Sequence, residues 1–176
     1  MLIEHVPDPG EYGRAHNRFR MVAWCLPPGN AARRARELFR DQLGKLLPAP
    51  DVLDDLEIVV SELVTNAIRY APAPYELRLL HDHNLPVRAE VVDAGAGTTL
   101  IDHLLRRPPA VPEHLDDLEP GGRGLRIVTE LTHGHCGTQW TRLCGTGQLG
   151  TAVWFDLPTN PQPPDLRGSR DRPPIP

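Results

Sequence analysis

The chain is predicted to fold as a single α/β domain, and three observations lead there. At 176 residues and 19.5 kDa it has material for one hydrophobic core and too little for two large lobes. Its 40% hydrophobic and 24% charged residues are the proportions of a soluble globular protein, so the chain is expected to order itself. One long amphipathic helical pattern sits among short segments with strand character, the mixture that an α/β domain requires.

The elements follow in order. Residues 1–17 are polar and carry Pro7, Pro9 and Gly10, which predicts an extended arm. Arg18 to Leu26 reads as a strand stopped by Pro27-Pro28-Gly29, after which Asn30 is placed to cap a helix over Ala31 to Leu47. Asp51 is placed to cap a second helix, Val52 to Ala71, which Pro72 ends. At 100° per residue, Val52, Leu53, Leu56, Val59, Val60, Leu63, Val64 and Ala67 gather into one apolar arc. Asp55, Glu62 and Asn66 form a polar row along its border.

Two strands are expected next, Tyr75 to His81 and Val87 to Asp93, joined by a turn at His83-Asn84-Leu85-Pro86. Thr98 to Pro120 is proline-bearing with a short helical piece at Ile101 to Arg107, a length of connection that usually serves as a lid or binding loop. A glycine turn then opens a short helix over Leu125 to Thr132, and strands over Cys136 to Leu143 and Thr151 to Leu157 close the domain. The domain thus spans 18–157. The remaining segment, 158–176, holds seven prolines in nineteen residues and is expected to be disordered.

Several functions are excluded on composition. A net charge of -4 opposes a main task of coating nucleic acid, since phosphate binding needs a net basic surface, so a protein or small-molecule partner is expected. Lys45 is the only lysine and follows no glycine-rich phosphate loop, which removes both the P-loop scheme and the strand lysine of an ordinary protein kinase. Cys25, Cys136 and Cys144 are an odd number without framework spacing, which fits free thiols in a reducing cytoplasm. The first residues have no signal-peptide pattern, and no apolar run approaches the roughly 20 residues of a membrane span.

Three features carry chemistry. Glu62 and Asn66, four apart on a helix, stand side by side on one turn. The amide oxygen suits Mg²⁺, and the carboxylate can orient or deprotonate an attacking hydroxyl. Asp93-Ala94-Gly95-Ala96-Gly97 is a turn whose backbone can approach a flat ligand, with Asp93 as acceptor for an exocyclic amine. Gly121-Gly122-Arg123-Gly124 opens a helix, a seat for phosphate to which Arg123 adds charge. Alone, each has a plainer reading: a polar helix edge, a hairpin turn and a loop. His133, His135, Cys136 and Cys144 lack paired ligand spacing, so zinc is not expected. Arg33, Arg34, Arg36 and Arg40 read as a solvated helix face before a docking surface.

Together and in this order, the three resemble the boxes of the Bergerat-fold (GHKL) ATPases. Glu62-Leu63-Val64-Thr65-Asn66-Ala67 is similar to their N-box, Asp93 to Gly97 to their G1 box, and Gly122-Arg123-Gly124-Leu125 to their G2 box. The length, the strand and helix before the N-box, and the closing Gly150-Thr151-Ala152-Val153-Trp154-Phe155 resemble the anti-sigma factor serine/threonine kinase (RsbW-like) branch.

The resemblance implies a two-layer α/β sandwich, a mixed, mainly antiparallel sheet covered on one face by helices. It implies ATP and Mg²⁺ as cofactors, with Asn66 on the metal, Glu62 as general base and Asp93 on the adenine amino group. Gly95, Gly97, Gly122 and Gly124 would shape the pocket, with Arg123, Leu125 and Thr151 as further nucleotide contacts. The implied role is cytoplasmic transcription regulation through a sigma factor and an anti-anti-sigma (STAS-type) partner, with no direct nucleic-acid or membrane contact, and it is compatible with a homodimer. Gln148-Leu149-Gly150-Thr151 lacks the lysine that many relatives carry there, which leaves a nucleotide-gated binding module without turnover as the alternative. A sensor histidine kinase would need a helical hairpin bearing the phosphorylated histidine, and residues 1–50 supply one helix.

Overall fold

Six strands make one antiparallel sheet among the described residues, and apolar stripes on the helices cover one of its faces. The structure, a computed structural model, describes residues 2–5, 19–47, 49–106 and 122–158. In chain order the elements are β1 (Leu2–His5), β2 (Phe19–Leu26), α1 (Ala31–Leu43), α2 (Pro50–Tyr70), β3 (Tyr75–Asp82), β4 (Leu85–Asp93), α3 (Thr98–Arg106), α4 (Gly122–Leu131), β5 (Cys136–Arg142) and β6 (Leu149–Asp156). The sheet order is β1-β2-β3-β4-β6-β5. Leu2–His5, within the expected arm, pair with β2 as an edge strand. Of the expected lid, Thr98 to Pro120, residues 98–106 form α3; the rest of it and the tail beyond 158 lie outside the described residues.

Every pairing is antiparallel, so the expected mixed sheet is corrected to a wholly antiparallel one among the described residues. The cause is the position of β6. A helical crossover from β4 to β5 gives two strands running the same way, which would pair in parallel if adjacent. Here β6 lies between them and pairs antiparallel with both.

Side chains alternate across the sheet. Val22, Trp24 and Leu26 of β2, Leu77 and Leu79 of β3, Ala89 and Val91 of β4, and Val153 and Phe155 of β6 point to the helices and join the main core. Leu53, Leu56, Val59, Val60, Leu63, Val64 and Ala67 of α2 are buried against them, so the helical arc read from the sequence faces the sheet. Burying each such side chain contributes roughly 1.5–3 kcal/mol before conformational entropy is counted. Phe39 of α1 meets Phe155 with ring centroids 6.1 Å apart. Helix α2 packs between α1 and α4, and α3 rests on α4 and β5.

Two helix starts differ from expectation. Asn30 makes no side-chain cap bond; its carbonyl instead accepts from Arg34 N at 2.9 Å. Asp51 lies inside α2, because Pro50 takes the first helical position, where its missing N–H costs nothing and its fixed φ suits the helix. The hairpin turn tightens to His83-Asn84, with His83 at φ 57° and Pro86 already in β4 opposite His81.

Candidate functional site

One end of α2 organises the site. Glu62 and Asn66, one turn apart, are both partly buried on the side facing α4. The backbone of Gly124, in the first turn of α4, lies directly over them: a Cβ there would stand 2.6 Å from Glu62 Oε2 and 3.2 Å from Asn66 Nδ2. A larger residue there would have to push the Glu62 carboxylate and the Asn66 amide aside, so the glycine leaves both side chains in place beneath the helix start. Asn66 Nδ2 is buried and has no hydrogen-bond partner among the described residues. A buried amide nitrogen left unpaired costs roughly 1–3 kcal/mol, and as a donor it would be satisfied by an acceptor such as a phosphate oxygen.

A second corner forms five residues further along the same helix line. Ala71, which ends α2, touches the Asp93 turn: a Cβ on Gly95 would lie 2.9 Å from Ala71 Cβ and 2.8 Å from Asp93 Oδ1. Gly95 N donates to Asp93 Oδ1 at 2.8 Å, Ala94 N donates to Pro72 O at 3.2 Å, and Thr151 Oγ1 donates to Gly95 O at 2.9 Å. Asp93 is 6% exposed, and burial pushes its carboxyl above the ordinary 3.8, with the Gly95 N–H pulling the other way. At 1.5 Å rise per residue, Asn66 and Ala71 set the two corners roughly 7–8 Å apart along the helix.

The structure therefore brings Glu62, Asn66 and Gly124 together at one corner, and Asp93, Gly95 and Thr151 at the other. Gly97 is different. A Cβ there would meet Ile101 Cδ1 at an ordinary 3.5 Å, so sterics do not demand glycine; its carbonyl accepts from Ile101 N at the start of α3. Gly122 is the first residue of α4, Arg123 is exposed beside it, and the Leu125 side chain sits in the core at 5% exposure. Leu125 thus faces the core with its side chain and has only its backbone N–H for a ligand at the helix start.

Residues not singled out as site residues from the sequence also shape the site. Gly150 is the tightest: a Cβ would fall 2.0 Å from the Asp93 carbonyl oxygen. Ala71 and Pro72 brace the Asp93 turn, and Thr138 Oγ1 donates to Thr98 O at 3.3 Å, tying α3 to β5. Nothing local marks them, since each matters through a strand or helix distant in sequence.

The donor set can be tested against the implied cofactors. Asn66 offers one hard amide oxygen and Glu62 one carboxylate, while no group of three or more His, Cys, Asp or Glu among the described residues makes a metal cage. That fits a Mg²⁺ ion that takes most of its oxygens from phosphates and water. The helix start at Gly122 and the glycine approach at Gly124 fit phosphate; the buried Asp93 carboxylate beside the Gly95 turn fits a flat base bearing an amine.

A family model of the histidine kinase-like ATPase domain matches residues 28–156, well over half the chain, and takes in all three glycine and acid-amide motifs. No curated protein is recognisably similar in sequence. Among solved structures, the mycobacterial sensor histidine kinase MprB is similar over 76% of this chain and 97% of its own, at 16% identity and a TM-score of 0.39. Among the described residues, no helix is long and apolar enough to cross a membrane.

Proposed function

The chain belongs to the histidine kinase-like ATPase family, and from that premise we propose that it is an ATP-binding regulatory protein of the anti-sigma kinase type, transferring the γ-phosphoryl group to a serine or threonine of an anti-anti-sigma partner. The observation that carries the reading is the corner where Gly124 lies over Glu62 and the Asn66 amide, whose buried nitrogen has no partner among the described residues. Mg²⁺, when bound there, would neutralise charge between the phosphates. Asn66 would hold the ion, Asp93 would accept from the adenine amine, and the N–H groups of Gly122 to Leu125 would receive phosphate. Glu62 would accept the proton of the incoming hydroxyl, so that catalysis is positioning plus charge neutralisation.

A second reading has its own support. Gln148 to Thr151 carries no lysine, which favours a nucleotide-gated module that binds a sigma factor or other partner without turnover. Two measurements decide. Calorimetric titration with Mg-ATP should show binding by wild type, weakened about tenfold or more in Asn66→Ala, the loss expected for one hydrogen bond or ligand to a charged group. Labelled ATP with a candidate partner should then label the partner with wild type and not with Glu62→Ala. Absence of nucleotide heat removes both readings; binding without labelling leaves the gated module.

A further inference from the structure

The sheet face opposite the helices carries a buried ion cluster that the reading above does not use. Glu76 and Arg78 of β3 are each 1% exposed and Glu90 of β4 is 0% exposed. Arg78 Nε and Nη2 both donate to Glu76 Oε2, at 3.0 and 2.7 Å. Buried ion pairs are often no more stabilising than apolar residues of the same volume, so their other contacts carry the interest. Arg78 Nη1 also stands 3.9 Å from Glu90 Oε2, and the hydrogen bonds that Glu76 and Arg78 make beyond their own pair reach the far end of β5. Arg78 Nη1 donates to Thr141 Oγ1 at 3.0 Å and Nη2 to the Arg142 carbonyl, while the Glu76 carboxylate accepts from Cys144 N at 3.1 Å and Gly145 N at 2.9 Å.

Strands β4 and β6 lie between β3 and β5, so the two are three strand spacings apart, about 14 Å in a flat sheet. No single side chain spans that. The end of β5 and the turn after it must therefore curl over the back of the sheet to meet Glu76 and Arg78. On the way, Leu143 packs with Val92 and Ala152. The same turn delivers Gly150 against the Asp93 carbonyl, with Leu143 Cδ1 the next contact of a Cβ at that glycine, and delivers Thr151 to the Gly95 carbonyl.

We propose that Glu76 and Arg78 are positioning residues of the nucleotide site: clamping the β5–β6 turn, they set where Gly150 and Thr151 hold the Asp93–Gly95 corner. This rests on the nucleotide reading of that corner. Without the clamp, the turn is free to lift, and the acceptor for the base moves with it although every residue touching the base is unchanged.

The test uses the full chain, Mg-ADP calorimetry, and two variants that cut the clamp from opposite sides. Glu76→Gln replaces one accepting oxygen with a donor that faces backbone N–H groups; Gly145→Pro removes one of those N–H groups and leaves the ion pair intact. Both are expected to bind Mg-ADP about tenfold more weakly, within the usual range of coupling between linked sites. By the same reciprocity, Mg-ADP should slow maleimide labelling of Cys144 severalfold in wild type, read by peptide mass spectrometry, and this dependence should vanish in both variants. A merely structural role would change Cys144 labelling equally with and without nucleotide. Folded variants that bind Mg-ADP as wild type does would overturn the clamp while sparing the nucleotide reading; a wild type that binds no nucleotide would overturn both. If Glu76→Gln does not fold, Gly145→Pro decides alone.

Discussion

Asp93 shows how one residue can oppose the fold it belongs to. Burial raises its carboxyl above 3.8, and the Gly95 N–H only partly offsets this. Between 3.8 and the raised value, the folded chain holds a proton that the unfolded chain has lost, so stability falls as pH rises through that window and stays lower above it. At neutral pH the bare carboxylate is therefore a cost, which the proposed role as acceptor for a base would account for. Asp93→Asn keeps an oxygen for Gly95 N and removes the charge. Thermal melting at pH 7 should give a higher midpoint for this variant, while Mg-ATP affinity falls roughly 10- to 100-fold, the loss of a hydrogen bond to a charged group. A variant that melts lower and binds as tightly would show that Asp93 does not read the nucleotide. The residue was legible in the sequence from its Asp-x-Gly-x-Gly setting. Its burial was not, because Thr151 and Ala71, which enclose the turn, come from the start of β6 and the residue just after α2.

Among the elements, α2 was the easiest to read and β6 the hardest. The 3.6-residue pattern from Val52 to Ala67 placed the buried stripe and the Glu62–Asn66 border together, since both follow from helix geometry alone. Only its start was misplaced, by taking Asp51 for the cap where Pro50 leads the helix. Strand β6 looked like an ordinary closing strand. Its insertion between β4 and β5 makes it the central link, bonded to both neighbours and pressed on the Asp93 carbonyl at Gly150. Gly150→Ala puts a Cβ where backbone, not a flexible side chain, already stands. Relief requires β4 and β6 to separate, so the variant should lose about 1–3 kcal/mol, the usual cost of overpacking. Urea unfolding should show this as a lower midpoint with an unchanged slope. An unchanged midpoint would mean that the β4–β6 approach is looser than described.

Over the described molecule, the buried His81 and Asp93 give stability opposite slopes in pH. His81 is 8% exposed; burial first, then the charge of Arg20, hold its imidazole below 6.5, against smaller contributions from backbone hydrogen bonds. The unfolded chain takes up this proton first, so stability falls as pH drops below 6.5 toward the folded value, whereas the Asp93 effect acts in a window that opens at 3.8. Urea midpoints measured from pH 7 to pH 5 should decline for wild type and decline less for His81→Asn. An identical decline in both would assign the acid sensitivity elsewhere.

The sequence by itself determined what depends on near neighbours along the chain: the helical stripe of α2, the strand alternation, the Glu62–Asn66 pairing on one turn, and the glycine turns at Gly95 and Gly124. It also determined the family, because the order and spacing of those motifs survive without coordinates. Only the tertiary structure decided that the described strands all pair antiparallel, that Gly124 covers Asn66, that Gly150 abuts Asp93, and that Glu76 and Arg78 bond to the end of β5 and the turn after it. Those are contacts between segments dozens of residues apart, fixed by which strand slides between which. Local periodicity states which face of an element is apolar; it does not state which other element will lie against it.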